Sequence, residues 1–257
     1  MKIMRASKSL KCSLMLLIAA VCVAAAPAGA QASSCCKPAD LTTIKGIAYD
    51  YVAVTALTGA TVSVVEYPNL KTRVDKSGGF ALKVPKNRKS TVVVDAPDHL
   101  RSFSETRVRK ASDPLLAFGV TTLELSRGIA VFANIPLNAS QTAPKECLVA
   151  ASVSVKAAWK FKTLAQAKAY GSYGVAGAKL SLVKSGKGGG SFRGLPVYFG
   201  NGFPDKSLTS TVSGVGMFIS VPAGTYELIA TKPGSRFSSS TAVCKPGRFI
   251  ELGAGQL

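Results

Sequence analysis

A short phrase occurs twice in the chain: a glycine, an alternating run and a proline. Residues 79–85 read Gly-Phe-Ala-Leu-Lys-Val-Pro, and residues 216–222 read Gly-Met-Phe-Ile-Ser-Val-Pro. Side chains of a strand alternate between two faces, so Phe80, Leu82 and Val84 are expected on one buried side. The repeat predicts an all-β fold of two tandem Greek-key sandwich modules, with one or two short helices.

The N-terminus has the pattern of a cleaved signal peptide. Basic residues within 2–11 precede an apolar run at 14–26, and small residues follow at a cleavage site after residue 30 or 32. No later stretch has the roughly 20 apolar residues of a transmembrane anchor. Lipid attachment at Cys35 or Cys36 is an alternative, but the usual leucine three positions earlier is missing. We expect a secreted or periplasmic protein, with the final destination open.

Cysteine usage agrees with export. Four cysteines remain after the leader, an even number that suits an oxidising compartment. Cys147 and Cys244 lie in strands at the two ends of the second module, so we predict a disulfide between them. For Cys35 and Cys36 two bonding states are possible: a strained disulfide between the two neighbours, or an intermolecular disulfide. No metal or other cofactor is expected, because CxxC pairs are lacking and His99 is the single histidine.

Glycines and prolines punctuate short strands along the mature chain, and 47% of residues are hydrophobic. About 225 residues remain after cleavage, enough for two domains of about 100 residues each. The predicted layout begins with a leader at residues 1–30 and an N-terminal segment at 31–40. The first module follows at 41–137, a linker at 138–146 and the second module at 147–257.

Local signals add helices and strands near the middle of the chain. A serine cap and a proline at 112–114 resemble a helix start, so a short helix or a turn is predicted there, leading into 115–118. Strands at 121–125 and 129–134 then close the first module. Thr163 and the glutamine three residues later have capping-box spacing, which predicts a helix over 164–170 at one end of the second module.

The first module resembles the carboxypeptidase regulatory-like domain family, a transthyretin-like β-sandwich. The resemblance is carried by Gly-Ala-x-Val at 59–62, Thr-x-x-Asp-x-x-Gly-x-Phe at 72–80 and Leu-x-Val-Pro at 82–85, and it covers about 60 residues. In the second module the matching residues are 194–198 and a Pro-x-Gly-x-Tyr-x-Leu hairpin at 222–228. The resemblance implies accessory folding, binding or spacing modules.

The second module departs from this family at the glycine turn. The aspartate is missing there, and Val212 and Ser213 take its place. A serine hydroxyl can replace an aspartate in such a turn, although more weakly. The resemblance therefore bears on fold more than on function.

Catalytic motifs with fixed spacing are lacking, and a single histidine excludes most zinc, copper and Ser-His chemistry. His99 is expected in an exposed loop; the alternative is an acid/base cluster with neighbouring carboxylates. The candidate catalytic residues include a tyrosine and an arginine that would lie in a cleft between the modules. The full set is Asp95, Asp98, His99, Glu105, Tyr198 and Arg236. Asp50 and Asp205 are further carboxylate candidates.

Positive charge is the strongest functional signal. Without the four basic residues of the leader, 28 Lys and Arg stand against 13 acidic residues, a net charge of about +15. Such a field attracts anionic polysaccharide, lipid headgroups or other acidic polymers. Sequence-specific nucleic-acid binding is not expected, because no known reader fold accompanies the charge. The predicted binding residues are Lys86, Arg88, Lys89, Arg107, Arg109, Lys110, Lys156, Lys160 and Lys162.

Two function hypotheses follow. In the first, the protein is an exported, non-catalytic module that binds anionic envelope or extracellular polymers through its basic surfaces. In the second, it is an exported enzyme with a carboxylate-based site between the modules. A buried carboxylate beside a tyrosine or arginine in a concave pocket would favour the second hypothesis, and a convex basic surface the first. The oligomeric state is left open.

Overall fold

The computed structural model describes residues 40–155, 163–168, 173–185, 190, 192, 194–200 and 202–257. The predicted leader, most of the 31–40 segment, Cys35 and Cys36 lie outside these residues. Within the described part, no helix is long and apolar enough to cross a membrane.

Seven strands make up the first half of the described chain. They are β1 (Leu41–Asp50), β2 (Thr61–Val64), β3 (Tyr67–Arg73), β4 (Gly79–Pro85), β5 (Lys89–Asp95), β6 (Ser102–Val108) and β7 (Leu116–Val120). Strands β4, β1 and β7 form a three-stranded sheet in that order. In β4, Phe80, Leu82 and Val84 are buried while Ala81 and Lys83 are exposed, as the alternation predicts. These side chains belong to a core between this sheet and strands β2 and β5.

The described residues of the second half form eight further strands and a short helix. They are β8 (Cys147–Ser154), α2 (Leu164–Lys168), β9 (Lys179–Lys184), β10 (Val197–Gly200), β11 (Phe203–Asp205), β12 (Val215–Val221), β13 (Gly224–Thr231), β14 (Ser240–Cys244) and β15 (Phe249–Gly255). Strands β14, β13 and β9 form a three-stranded sheet. Its core side chains face those of β8, β12 and β15. The predicted all-β class with short helices is confirmed.

The repeated phrase occupies equivalent strands in the two halves. β4 pairs antiparallel with β1, which pairs parallel with β7. β12 pairs antiparallel with β8, which pairs parallel with β15. On the other side of each sandwich, β5 lies between β2 and β6, and β13 lies between β9 and β14. The internal repeat is thus structural, although the exact module boundaries stay a prediction.

The two halves share one sheet. Strand β15 pairs with β8 on one side and, parallel, with β6 of the first half on the other. This pairing produces nine strands in the order β11-β10-β12-β8-β15-β6-β5-β2-β3. The junction therefore combines main-chain hydrogen bonds between the two sandwiches with apolar packing of side chains from both halves.

The predicted strands at 121–125 and 129–134 are wrong, because helix α1 (Leu123–Ala133) forms there. Thr122 caps it by accepting a hydrogen bond from Leu125 N–H at 3.2 Å, and Asn134 ends it in the left-handed conformation. Ala130 and Ala133 pack on Leu148, Phe249 and other apolar residues of the nine-stranded sheet. Tertiary burial of this face outweighs the β-like alternation of the sequence.

At 112–114 the turn forms and not the helix that was its alternative. The Asp113 carboxylate accepts a hydrogen bond from Lys110 N–H at 2.9 Å and closes a turn, after which the chain enters β7. Near α2 the predicted cap is confirmed, since Gln166 N–H donates to Thr163 Oγ1 at 3.3 Å. Leu164 nevertheless packs against Ile47 and Tyr49 of β1, so α2 covers the first half and not the second as expected.

The predicted disulfide is confirmed. Cys147 at the start of β8 is bonded to Cys244 at the end of β14, with Cα atoms 5.4 Å apart. Both residues are buried in the core of the second half. The bond therefore joins the two sheets of that sandwich.

Candidate functional site

A cavity of about 260 Å³ lies between the two halves. Its walls come from β1, β6 and β7 of the first half and from β8, β12 and β15 of the second, and α1 contributes Ile129. Most lining side chains are apolar, among them Phe118, Phe199 and Met217. A mostly apolar concave site with a few polar groups is the usual composition of a small-ligand pocket.

Strand alternation places Glu251 in this cavity. Ile250, Leu252 and Ala254 belong to the core of the second half. Phe249, Glu251 and Gly253 alternate with them and line the cavity from the opposite face of β15. A single acidic residue in an otherwise apolar strand therefore faces a space between two sandwiches.

The carboxyl group of Glu251 is incompletely satisfied. Its Oε2 accepts a hydrogen bond from Gly119 N–H of β7 at 3.2 Å. Its Oε1 is shielded from solvent and has no hydrogen-bond partner among the described residues. Burial raises the pKa of Glu251 to about 8, although the nearby Ser102 hydroxyl and the Gly119 N–H act in the opposite direction. The carboxyl is thus mostly protonated at neutral pH. The Ser102 hydroxyl donates to Leu100 O at 3.2 Å and so does not provide the missing partner of Oε1.

Two tyrosines from the end of β1 lie over Gly119. A Cβ atom at Gly119 would lie 3.1 Å from the Tyr51 ring and 3.3 Å from the Tyr49 hydroxyl, so glycine allows this close approach. Burial raises the pKa of the Tyr51 phenol, and the charge of Glu251 raises it further. Glu251 and Tyr51 therefore affect each other electrostatically within one cavity.

Glu105, a predicted catalytic residue, is a second carboxylate that lines the cavity, but it is paired. Arg107 Nε lies 2.6 Å from Glu105 Oε1, and Arg109 Nη1 lies 3.4 Å from the same atom. Arg109 also donates from Nη2 to Ser104 Oγ at 2.9 Å and to Glu105 O at 2.7 Å. The charge of Glu105 is therefore compensated by two guanidinium groups.

Arg109 is a correction to the predicted binding set. The residue is 2% exposed, and burial lowers the pKa of its guanidinium to about 10 although Glu105 opposes this change. A side chain enclosed in this way cannot contact a surface polymer. Arg107 is half-buried and also paired with Asp113 at 3.2 Å.

Some of the other cations predicted to bind a ligand lie close together on the surface. Lys86, Arg88 and Lys89 lie exposed at the turn between β4 and β5, and Arg88 Nη1 donates to the Tyr67 hydroxyl at 3.2 Å. Lys110 is exposed next to the buried Arg109. Lys156, Lys160 and Lys162 lie outside the described residues.

The structure does not bring the predicted catalytic residues to one place. Asp95 is exposed and lies 3.4 Å from Arg101, and Asp98 is exposed with a φ of 58°. The Tyr198 hydroxyl accepts a hydrogen bond from Leu180 N–H at 2.9 Å in the core of the second half. Arg236 lines a separate surface pocket, and Asp205 accepts hydrogen bonds from Ser207 in a turn. Of the candidates, Glu105 is the one that lines the cavity.

His99 pairs with Asp50 and not with the carboxylates proposed for an acid/base cluster. Its Nε2 lies 3.1 Å from Asp50 Oδ2, and its Nδ1 lies 2.6 Å from Pro97 O. Asp50 Oδ1 accepts hydrogen bonds from Val52 and Ala53 N–H. Burial alone would raise the pKa of Asp50, but the Ala53, Val52 and His99 hydrogen bonds outweigh it and lower the pKa. Asp50 is buried and His99 is half-buried, so the prediction of an exposed His99 is wrong, and the pair fixes the end of β1.

Sequence reasoning missed Glu251. The available signal was a lone carboxylate at 251 between the apolar residues 250 and 252. A charge in that position is costly unless it meets a partner or a ligand. Within the described residues, no group of three or more His, Cys, Asp or Glu residues is arranged to hold a metal ion.

No protein-family model matches the chain, and no curated protein matches it. Solved structures match at low similarity. The Bacillus anthracis TIE protein is 13% identical, with 84% of this chain and 34% of that chain covered and a TM-score of 0.27. The Streptococcal ancillary pilin is 9% identical, with 84% and 68% covered and a TM-score of 0.28. The shaft pilin SpaA from Lactobacillus rhamnosus GG is 9% identical, with 85% and 98% covered and a TM-score of 0.25.

The chain spans about a third of the length of the TIE protein. Likeness of this degree leaves function to be argued from the residues of this chain. The β-sandwich architecture itself rests on the strand order described above.

Proposed function

We propose that the chain is an exported, non-catalytic β-sandwich protein that binds a small ligand in the cavity around Glu251. The observation that carries the proposal is the shielded Oε1 atom of Glu251, which lacks a hydrogen-bond partner among the described residues. Buried polar atoms in native proteins are nearly always paired, so an unpaired one beside a cavity marks a place for a ligand group. Export rests on the predicted leader, and the carboxypeptidase regulatory-like resemblance supports an accessory binding role.

A cavity-filling substitution tests this proposal. Gly253 lines the cavity, and a Cβ there would meet its nearest atom, Ser152 Oγ, at an ordinary 3.7 Å. Gly253→Leu should therefore fill the space without displacing the strand. We expect millimolar benzyl alcohol to shift the amide resonances of Gly119 and Gly253 in the wild-type protein, and the Gly119 shift to disappear in the variant.

Gly128→Leu is the matched control, because Gly128 is exposed on α1 and a Cβ there meets open space. This variant should bind benzyl alcohol as the wild type does. Equal shifts of Gly119 in the wild type and in Gly253→Leu would place the ligand elsewhere and refute the proposal.

A second candidate function is binding of an anionic polymer. The exposed cations at the turn between β4 and β5 and the net charge of the mature chain support it. Combined replacement of Lys86, Arg88 and Lys89 by Gln should weaken binding to an acidic polysaccharide such as heparin at near-physiological salt. Replacement of Lys179, Lys206 and Lys245, exposed in the second half, removes the same charge and should change binding less. Equal losses would indicate a diffuse charge effect.

A carboxylate-based enzyme is an alternative with two supporting observations. The buried Glu251 carboxyl shares a concave cavity with Tyr51, which is the arrangement expected of an enzyme site. Glu105 is ion-paired whereas Glu251 has a pKa of about 8, and two carboxyl groups in unlike environments can divide acid and base roles. The test is turnover of nitrophenyl glycosides and esters by the wild type and by Glu251→Gln. Turnover that the substitution abolishes would favour the enzyme; binding of benzyl alcohol without turnover favours the binding module.

A further inference from the structure

We propose that the cavity selects a small organic ammonium, an apolar body with a protonated amine that pairs with the Glu251 carboxylate. This inference rests on the proposed ligand site and names the class of its ligand. It is argued from the charge of the lining, from the pairing of each carboxylate and from the aromatic walls.

The ionisable residues of the lining differ in sign from those of the rest of the protein, although the empty cavity carries little net charge because Glu251 is mostly protonated and Glu105 is paired. The chain has 32 Lys and Arg against 13 Asp and Glu. Among the described residues that line the cavity, Glu105 and Glu251 are acidic, and Lys, Arg and His are absent. A strongly basic protein would draw anions to its surface, but this cavity gives an anionic ligand no cation to meet.

The two carboxylates differ in whether their charge and hydrogen-bonding atoms already have partners. Two arginines already compensate Glu105. Glu251 receives the Gly119 N–H on Oε2, while Oε1 is left without a partner among the described residues. Oε1 is enclosed in the empty cavity, so the Glu251 side chain has to turn toward the ligand. An ammonium group then supplies both a hydrogen-bond donor for Oε1 and the counter-charge that an ionised Glu251 lacks. Charge-assisted hydrogen bonds of this kind are about twice as strong as neutral ones.

The walls suit the rest of such a ligand. Tyr49, Tyr51, Phe118, Phe199 and Phe249 all line the cavity. Aromatic faces attract cations and also pack against apolar groups. A volume of about 260 Å³ lies just below the roughly 300–1,000 Å³ of pockets for drug-sized ligands. The ligand is therefore small, with one charged end.

Binding of an ammonium should release a proton. Glu251 is mostly protonated in the empty cavity at neutral pH, and pairing with a cation favours its ionised form. The proton leaves Glu251 for solvent, and the ammonium keeps its own. Tyr49, Tyr51 and Glu105 are the other titratable groups of the lining, and none of them provides a positive charge. Proton release thus distinguishes an ammonium from a neutral ligand.

Three probes of the same size and different charge test the inference: benzylammonium, benzyl alcohol and benzoate. Calorimetry at pH 7 should show benzylammonium binding at least about tenfold more tightly than benzyl alcohol, with no binding of benzoate. In buffers of different ionisation enthalpy, benzylammonium should release close to one proton per site. Glu251→Gln should bring the preference for the ammonium close to unity, whereas Glu124→Gln, an exposed carboxyl on α1, should keep it.

The outcomes separate the inference from the proposed function. Benzyl alcohol binding as tightly as benzylammonium, with a Gly119 shift that Gly253→Leu abolishes, would overturn the ammonium and leave the ligand site standing. Binding of none of the three probes would overturn both. An ammonium preference that survives Glu251→Gln would also overturn the inference, because the charge would then be recognised elsewhere.

Discussion

The two halves follow the same strand plan, but they fasten the turn before the repeated phrase differently. In the first half the Asp75 carboxylate accepts hydrogen bonds from Ser77 N–H, Ser77 Oγ and Gly79 N–H. In the second half Thr211 Oγ1 accepts from Ala178 N–H and donates to Val175 O. Thr211, and not Ser213 as the sequence suggested, takes over this role. Strand alternation sets the fold, whereas the hydrogen bonds that hold the segment before each repeated phrase depend on single residues.

The second half also has a disulfide, which the described residues of the first half lack, and a closer backbone approach at a glycine than the 2.7 Å between a Cβ at Gly46 and Leu116 O in the first half. The Cys147–Cys244 disulfide crosses its core. At Gly174 the main chain of Ser213 comes so close that a Cβ atom would overlap the Ser213 carbonyl. Both halves have apolar cores, side-chain hydrogen bonds and a close backbone contact, and the covalent bond is what sets the second half apart.

Removal of the disulfide should cause the largest loss of stability among these tests, and the loss should fall mainly on the second half. The bond closes a loop with a sequence separation of 97, so Cys147→Ala with Cys244→Ala should lower the free energy of unfolding by about 4–5 kcal/mol. Hydrogen exchange followed by mass spectrometry should show lost protection in β13 and β14 and retained protection in β4 and β5. Equal loss in both halves would show that the shared sheet makes them unfold as one unit.

The Glu251 carboxyl tests the junction between the halves. Its pKa is about 8 in the fold against 4.5 for an ordinary glutamate, so its contribution to stability falls as pH rises from about 4.5 to 8. One pKa unit corresponds to about 1.4 kcal/mol, and the total loss is a few kcal/mol. Urea unfolding at pH 5 and pH 9 should show this loss in the wild type and much less of it in Glu251→Gln.

Glu124→Gln is the control for this titration, because the Glu124 carboxyl is exposed. It should keep the pH dependence of the wild type. A Glu251→Gln variant with the same pH dependence as the wild type would show that the buried carboxyl does not resist ionisation.

The next largest loss of stability is expected when a methyl group is added at Gly174. It would overlap main-chain atoms of Ser213, which cannot move as a flexible side chain does, so Gly174→Ala should cost about 3 kcal/mol. Gly128→Ala in the exposed middle of α1 should instead stabilise the protein by about 0.5–1 kcal/mol. Thermal unfolding compares the two. Equal melting temperatures would contradict the close backbone approach in the second half.

The smallest effect is expected at the turn of the first half. Asp75→Ala removes the acceptor of three hydrogen bonds on an exposed turn and should cost about 1 kcal/mol. Asp75→Asn keeps an acceptor oxygen and should cost less. Denaturant unfolding of both variants measures the difference, and identical losses would mean that charge, not hydrogen bonding, holds the turn.

Much of the fold could be predicted because it depends on local patterns. The alternation of Phe80, Leu82 and Val84 and the repeated phrase defined strands that the structure confirms, and the spacing of Cys147 and Cys244 defined the disulfide. Helix α1 could not be predicted in this way. Its apolar residues at 123, 125 and 129 fit a strand equally well, and the choice is made by packing on distant strands.

The candidate site was less predictable, because it forms where two halves meet. Glu105 was named for its charge, but neither its arginine partners nor Glu251 follows from spacing along the chain. Gly119 and Glu251 are 132 residues apart in sequence and meet through the parallel pairing of β15 with β6. Contacts of this range depend on how sheets join.

The junction between β15 and β6 gives the molecule a direction of mechanical strength. The strands pair in parallel from Phe249 opposite Ser102 to Glu251 opposite Ser104. A pulling force along the strands loads these hydrogen bonds at the same time, whereas a force across the sheet breaks them one after another. The protein should therefore resist extension along its strands better than peeling, and peeling that reaches Glu251 also separates the walls of the cavity.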